Sequence, residues 1–142
     1  MGFRLKIEGS ETISLQESSI EKVRFRADIP HDSNARSTDL GSTMEITGKI
    51  LAAVGGEAAD DTGKIARWAL VPAENSDCYR NVQVDVVSAS QIVRQIQVPN
   101  AFVVGYKEDF DDETGIGVFT LLIKQKKDKM TALKFEGGFS GE

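Results

Sequence analysis

The sequence predicts a mainly β fold, in which two packed antiparallel sheets form a β-barrel-like domain with one short flanking α-helix. Apolar and polar residues alternate in short segments along the chain, turn-forming residues recur about every ten residues, and one segment alone has helical spacing. Many short strands separated by frequent turns are typical of a closed or sandwiched antiparallel architecture. We therefore expect about eight or nine strands in a single domain that spans residues 1–142.

The first third of the chain contains the clearest strand patterns. Residues 3–7 alternate between apolar and charged side chains, and a shorter alternation follows at 13–15. The segment 22–29 is a strongly amphipathic strand that Pro30 ends, because proline cannot donate to a sheet ladder. The alternation resumes at 44–50. These segments predict four strands.

A long polar loop is predicted between the third and fourth strands. The segment His31–Ser42, HDSNARSTDLGS, contains one large apolar residue in twelve positions. A polar loop of this length inside a compact domain is usually either functional or mobile. The residues alone leave open whether it is a functional loop or a disordered hairpin tip.

One short helix is predicted in the middle of the chain. Asp60 or Asp61 supplies an N-cap, apolar residues at 65, 68 and 69 have helical spacing, and Pro72 ends the segment. We expect Trp68 to cover a sheet.

The predicted β-hairpin Asn100–Lys126 has the most unusual apolar pattern. It follows alternating segments at 79–87 and 92–98, and a last strand is expected around Leu133 and Phe135. Both strands of the hairpin carry apolar residues on both faces, so each face needs a covering partner. We interpret five apolar residues of its second strand as candidates for contact with a neighbouring subunit: Val118, Phe119, Leu121, Leu122 and Ile123.

Composition and charge exclude several classes of protein. Apolar residues are 40% and charged residues 27% of the chain, which excludes a wholly disordered protein. The net charge of −5 disfavours nucleic-acid binding. The single cysteine, Cys78, excludes an internal disulfide framework and a thiolate-rich zinc site. No apolar run matches a membrane span or a signal peptide, so we expect cytoplasmic synthesis and no membrane partner.

No catalytic or metal-binding constellation is predicted. A hydrolase would need the single histidine, His31, as the base for a serine or for Cys78, and no serine lies in a G-x-S-x-G turn. The acidic cluster Glu108–Glu113 could bind a hard cation, but it lacks the glycine and glutamate positions of an EF-hand loop. We expect no catalytic residue, no cofactor and no metal.

Taken in order, these elements resemble the tube proteins of contractile phage tails and the haemolysin-coregulated proteins of type VI secretion. The resemblance rests on an N-terminal strand, a strand pair spanning His31–Ser42, a helix from Asp60-Asp61 to Trp68, the segment Tyr79–Val87, and the block NAFVVGYKEDF–GIGVFTLLIKQKKDK. It covers nearly the whole chain through element order. The chain is most similar to small clostridial-type tube-like proteins, some of which are labelled "membrane-associated protease", although no triad or zinc-binding helix supports a protease here.

The resemblance implies a structural subunit that forms hexameric rings, which stack into a hollow tube inside a contractile sheath. Sheath and baseplate proteins of a phage-tail-like particle would be its partners, and one face of the sheets would line the lumen. By position, the loop that reaches the next ring would consist of His31, Asp32, Ser33, Asn34, Ala35, Arg36, Ser37, Thr38, Asp39 and Leu40. The alternative is a monomeric ligand-binding or adaptor β-barrel with a closed pocket.

Overall fold

The computed structural model describes residues 1–28, 41–50, 62–125, 134–136 and 139–140, and the observations below concern these residues. The elements, in chain order, are β1 (Gly2–Glu8), β2 (Thr12–Leu15), β3 (Ile20–Asp28), β4 (Gly41–Ile50), α1 (Thr62–Ala69), a 3-10 turn (Ser76–Cys78), β5 (Arg80–Ser88), β6 (Gln91–Phe110), β7 (Gly117–Gln125), β8 (Lys134–Glu136) and β9 (Phe139–Ser140). The predicted mainly β fold with one helix is confirmed. Within these residues, no helix is long and apolar enough to cross a membrane.

All of these strands belong to one antiparallel sheet with the order β2-β1-β5-β6-β7-β4-β3, and β8 and β9 also pair with β6. The 20-residue β6 joins two parts of the sheet, because residues 91–98 pair with β5 and residues 102–110 pair with β7. Strand β1 also lies close to β3 without pairing with it, so the sheet curls back on itself. The observed sheet is therefore a single bent sheet, where the sequence suggested two packed sheets.

The bend in β6 divides the sheet into two half-sheets. The first half-sheet consists of β2, β1, β5 and residues 91–98 of β6, and the second half-sheet consists of β3, β4, β7 and residues 102–110 of β6. Register places residues that face each other across strands on the same side of the sheet. The inward residues of both half-sheets form one core, which includes the fully buried Ile7, Val84, Ile46 and Leu121.

Helix α1 closes this core from one side. Ile65 and Trp68 are fully buried, as their helical spacing predicts. The indole Nε1 of Trp68 donates a hydrogen bond to the backbone carbonyl of Cys78 at 2.9 Å, so the buried N–H has a partner. The predicted capping residues Asp60 and Asp61 lie outside the described residues.

A charge cluster around the buried Arg80 links the turn between β1 and β2 to the start of β5. Arg80, whose side chain is 2% exposed, donates from Nη2 to Oδ2 of Asp77 at 2.6 Å. Ser10 donates to the same carboxylate from its backbone nitrogen and its hydroxyl, at 3.0 and 2.7 Å. The hydrogen bonds from Arg80 and then from Ser10 lower the pKa of Asp77 to about 2. The cluster therefore stabilises the fold as long as Asp77 is ionised.

Candidate assembly surfaces

The second half-sheet has a long unpaired edge on each side. Strand β3 ends the sheet order and pairs with β4 alone, and residues 102–110 of β6 pair with β7 alone among the described residues. β3 contains nine residues, and the range 102–110 has the same length. An unpaired edge presents a row of backbone N–H and C=O groups that can pair with another strand. Both edges are therefore sites at which the sheet can be extended.

The strand directions make these two edges complementary. Each neighbouring pair in the order β3-β4-β7-β6 is antiparallel. Because the half-sheet contains an even number of strands, β3 and residues 102–110 run in opposite directions. A second copy placed beside the first in the same orientation would bring its β3 antiparallel to residues 102–110. This contact is head-to-tail, so it can repeat and close into a ring.

A groove of about 480 Å³ runs along the 102–110 edge, beside α1. It is lined by Ala66, Ala69 and Leu70 on one side and by residues 103–108 on the other. Leu70 is 81% exposed and Val104 is 43% exposed. Exposed apolar side chains beside an open strand edge indicate a surface that a protein partner covers.

The outward face of the second half-sheet is basic, although the whole chain carries a net charge of −5. Cross-strand register places six basic and three acidic residues on this face: Lys22, Arg24, Arg26, Lys49, Lys107 and Lys124, with Asp28, Glu45 and Asp109. Lys107 lies 3.7 Å from Asp109. Four cations form no ion pair among the described residues: Lys22, Arg24, Lys49 and Lys124. We call this surface the basic face.

The structure places the five candidate residues of the hairpin on both sides of β7. Phe119, Leu121 and Ile123 are fully buried in the core of the same subunit, whereas Val118 and Leu122 are half-buried on the basic face. Strand β7 is paired on both edges, with β4 and with β6. Its two-sided apolar pattern thus belongs to a central strand, and the open edges lie on other strands.

Sequence reasoning missed the two open edges. The row of Lys22, Arg24 and Arg26 on β3 is the signal that could have indicated one of them, because charged side chains are typical of edge strands. The edge at 102–110 begins with apolar residues, but its exposed charged run at Lys107–Asp109 is a second such signal. The exposed Leu70 beside it comes from a different segment of the chain.

The predicted inter-ring loop, His31–Leu40, lies outside the described residues. The strands that flank it show where it is anchored, because Asp28 pairs with Gly41 at one end of β3 and β4. Strand β4 begins at Gly41, so the loop predicted to extend to Ser42 is shorter. The acidic turn 111–116 lies at the opposite end of the four strands, where β6 meets β7. The loop anchors and the acidic turn are therefore separated by the full length of the half-sheet.

The described part of the chain brings no nucleophile, base and metal ligands together. No group of three His, Cys, Asp or Glu side chains could hold a metal ion in the ranges that the structure describes. The thiol of Cys78 is buried and contacts the carbonyl oxygen of Ala73 at 3.8 Å. His31, the base that a hydrolase would need, lies outside these ranges. In the acidic turn, Asp111 accepts a hydrogen bond from the backbone of Glu113 at 2.9 Å.

Several solved structures share this fold. The chain is 17% identical to Hcp1 from Flavobacterium johnsoniae, with a TM-score of 0.58 and 99% of each chain covered. A chain of the anti-feeding prophage baseplate is 11% identical, with a TM-score of 0.56 over 96% of this chain and 93% of that one. A chain of the PVC sheath-tube complex, an extracellular contractile injection system, is 11% identical, with a TM-score of 0.54 over 96% and 89%. No protein-family model and no curated protein sequence matches.

Proposed function

We propose that this chain, which has the fold of the Hcp and phage-tail-like tube proteins, is a structural subunit of a contractile-injection tube. It assembles by extending its second half-sheet into closed rings, without catalysing a reaction. The observation that carries the proposal is the pair of nine-residue open edges, β3 and residues 102–110, which run in opposite directions on opposite sides of the half-sheet. A monomeric binding domain has no need for two matched open edges.

Ring closure pairs β3 of each copy with residues 102–110 of its neighbour. We call each of these strand pairings between subunits a joint. Each joint satisfies the hydrogen bonds of the open backbone groups and covers the groove that contains Leu70 and Val104. With six copies, about 24 strands spaced roughly 4.8 Å apart form a barrel about 37 Å across, before strand tilt widens it.

The bulk of the subunit decides which face of this barrel lines the lumen. The first half-sheet and α1 pack on the core side of the second half-sheet. Packed sheets lie roughly 10 Å apart, and the outer side chains add further thickness. Six such layers do not fit inside an opening about 37 Å wide. They therefore lie on the outside of the barrel, and the basic face lines the lumen.

Rings in the same orientation then stack along the strand direction. The anchors of the loop His31–Leu40 lie at one end of the four strands, and the acidic turn 111–116 lies at the other. Stacking brings the loop of one ring to the acidic-turn end of the next ring. The outer surface of the stack is left for sheath proteins, and its terminal ring for a baseplate.

Negative-stain electron microscopy and sedimentation velocity of concentrated protein test the proposal. We expect rings with a central hole, which stack into tubes as the concentration rises. A folded protein that stays monomeric at every concentration would contradict it and would favour a ligand-binding or adaptor domain. His31→Ala should leave ring formation unchanged, whereas loss of a hydrolytic activity in this variant would support an enzyme.

A further inference from the structure

The basic face carries more positive than negative side chains, whereas the whole chain has a net negative charge. A tube lined by this face would therefore present positive charge to its contents. We propose that the lumen holds an acidic protein as cargo, bound by the basic face. The inference rests on the proposed function, because ring closure is what turns this face into a lumen wall.

The charge distribution supports an anionic occupant. Six basic and three acidic residues share the face, while the chain as a whole carries a charge of −5. A ring repeats this face in every copy, so the lumen acquires a continuous basic band. A concave surface of one sign with protein walls focuses its field and concentrates ligands of the opposite sign.

The cations of this face are available for a ligand. Lys49 and Lys124 form no ion pair among the described residues. They lie on β4 and β7, whose edges are already paired within the subunit, so ring closure leaves them on the lumen surface. Lys22 and Arg24 on β3 extend the same surface, with side chains roughly 7 Å apart along the strand. Carboxylates of a cargo can accept charge-assisted hydrogen bonds from these groups.

The apolar and acidic residues of the face favour a protein over a nucleic acid. Val118 and Leu122 are half-buried near its centre, and Glu45 and Asp109 lie in register with them. Duplex DNA presents phosphates, which gain nothing from apolar side chains and are repelled by carboxylates. A single strand needs aromatic stacking platforms, and Phe102 is the one aromatic residue in the described part of this face. An acidic protein can use the cations and the apolar centre together.

The outward face of the first half-sheet provides a natural contrast. Its Lys6 lies 2.9 Å from Glu8, and Asp85 accepts hydrogen bonds from the amides of Gln83 and Gln95 at 3.2 and 3.0 Å. This face is therefore largely neutralised by its own side chains. It lies outside the ring in the proposed assembly, so substitutions there serve as matched controls.

The test compares three proteins that assemble into rings: wild type, Lys49→Gln/Lys124→Gln on the basic face, and Arg4→Gln/Lys6→Gln on the outer face. Binding of a fluorescent glutamate–tyrosine copolymer is measured by anisotropy at several salt concentrations. We expect the first double variant to bind about tenfold more weakly than wild type, the control to stay within about twofold, and added salt to weaken binding. If the double variant forms no rings, the single variants Lys49→Gln and Lys124→Gln are compared, with about threefold expected from each.

The outcomes separate the two proposals. Wild-type protein that forms no rings contradicts the proposed function. Rings that bind the copolymer equally with and without the two lysines contradict the acidic cargo and leave the tube subunit intact. A short DNA duplex that displaces the copolymer and depends on the same lysines would replace a protein cargo with a nucleic acid.

Discussion

Val104→Lys tests the open edge of β6 most sharply. Val104 is 43% exposed and lines the groove beside Leu70, on an edge with no strand partner in the described part of the chain. In the proposed ring, β3 of the neighbouring copy covers this edge. A new lysine at position 104 would therefore be partly buried between the two subunits, beside the apolar Leu70 of its own chain.

The size of the effect follows from two contributions. Burying the exposed half of a valine stabilises each joint by about 1 kcal/mol, which the substitution removes. Partial desolvation of the new ammonium group in this groove costs about 2 kcal/mol more. The total of about 3 kcal/mol weakens each joint by roughly 100-fold. Folding of the monomer should change little, because the side chain is already half in solvent.

Val93→Lys is the matched control. Val93 is 38% exposed and lies on the same strand, but its part of β6 is flanked by β5 and by β9. Sedimentation velocity over a concentration series should show monomers of Val104→Lys at concentrations where wild type and Val93→Lys form rings. If Val104→Lys assembles as readily as wild type, the 102–110 edge is not the joint.

The remaining predictions concern the fold that holds these edges in place. Gly48→Ala should lower the free energy of unfolding by about 3 kcal/mol, because a Cβ there would lie 2.4 Å from the carbonyl oxygen of Ser19; an unchanged urea midpoint would contradict this contact. Gly63→Ala is its counterpart and should stabilise α1 by up to about 1 kcal/mol, since the nearest atom to its Cβ is 3.8 Å away. The pKa of Asp77 is lowered to about 2, so its stabilising contribution is complete above its ordinary value of 3.8 and is lost as the pH falls through 2. Asp77→Asn should therefore lose about 1 kcal/mol at pH 7 and less below pH 2, and pH-dependent melts that match wild type throughout would refute that role.

Alternation of side chains predicted most strands because one face of each is buried. The bounds of β1, β3, β4 and β7 agree closely with the segments in which apolar residues alternate. The helical spacing of residues 65, 68 and 69 likewise predicted α1. Where the structure has the single strand β6, the sequence predicted two strands, one at 92–98 and one at the start of the hairpin Asn100–Lys126. The structure continues the strand through Pro99, with Asn100 at a φ of 56°. Pro99 lacks an N–H, but its carbonyl accepts a hydrogen bond from Gln125 at 3.1 Å, which holds the strand at the point where it bends.

The candidate site was harder to predict, because side-chain patterns report faces and not edges. The segment Val118–Ile123 was predicted as a subunit contact because of its apolar residues. In the structure, both of its backbone edges pair within the subunit, with β4 and with β6. Whether an edge is open depends on which distant strand pairs with it, and no local pattern encodes that choice. Similarly, the basic face combines cations from four strands. Those residues are far apart in the sequence, and their common sign is hidden by the acidic net charge.

Hydrogen exchange of assembled and dilute protein tests the central claim most directly, because it reports the backbone edges themselves. We predict that amides of β3 and of residues 102–110 become protected by about tenfold or more on assembly, whereas β2, a shorter edge strand, keeps its monomer exchange rate. Rings or tubes in which both long edges exchange as fast as in the monomer would contradict assembly by sheet extension.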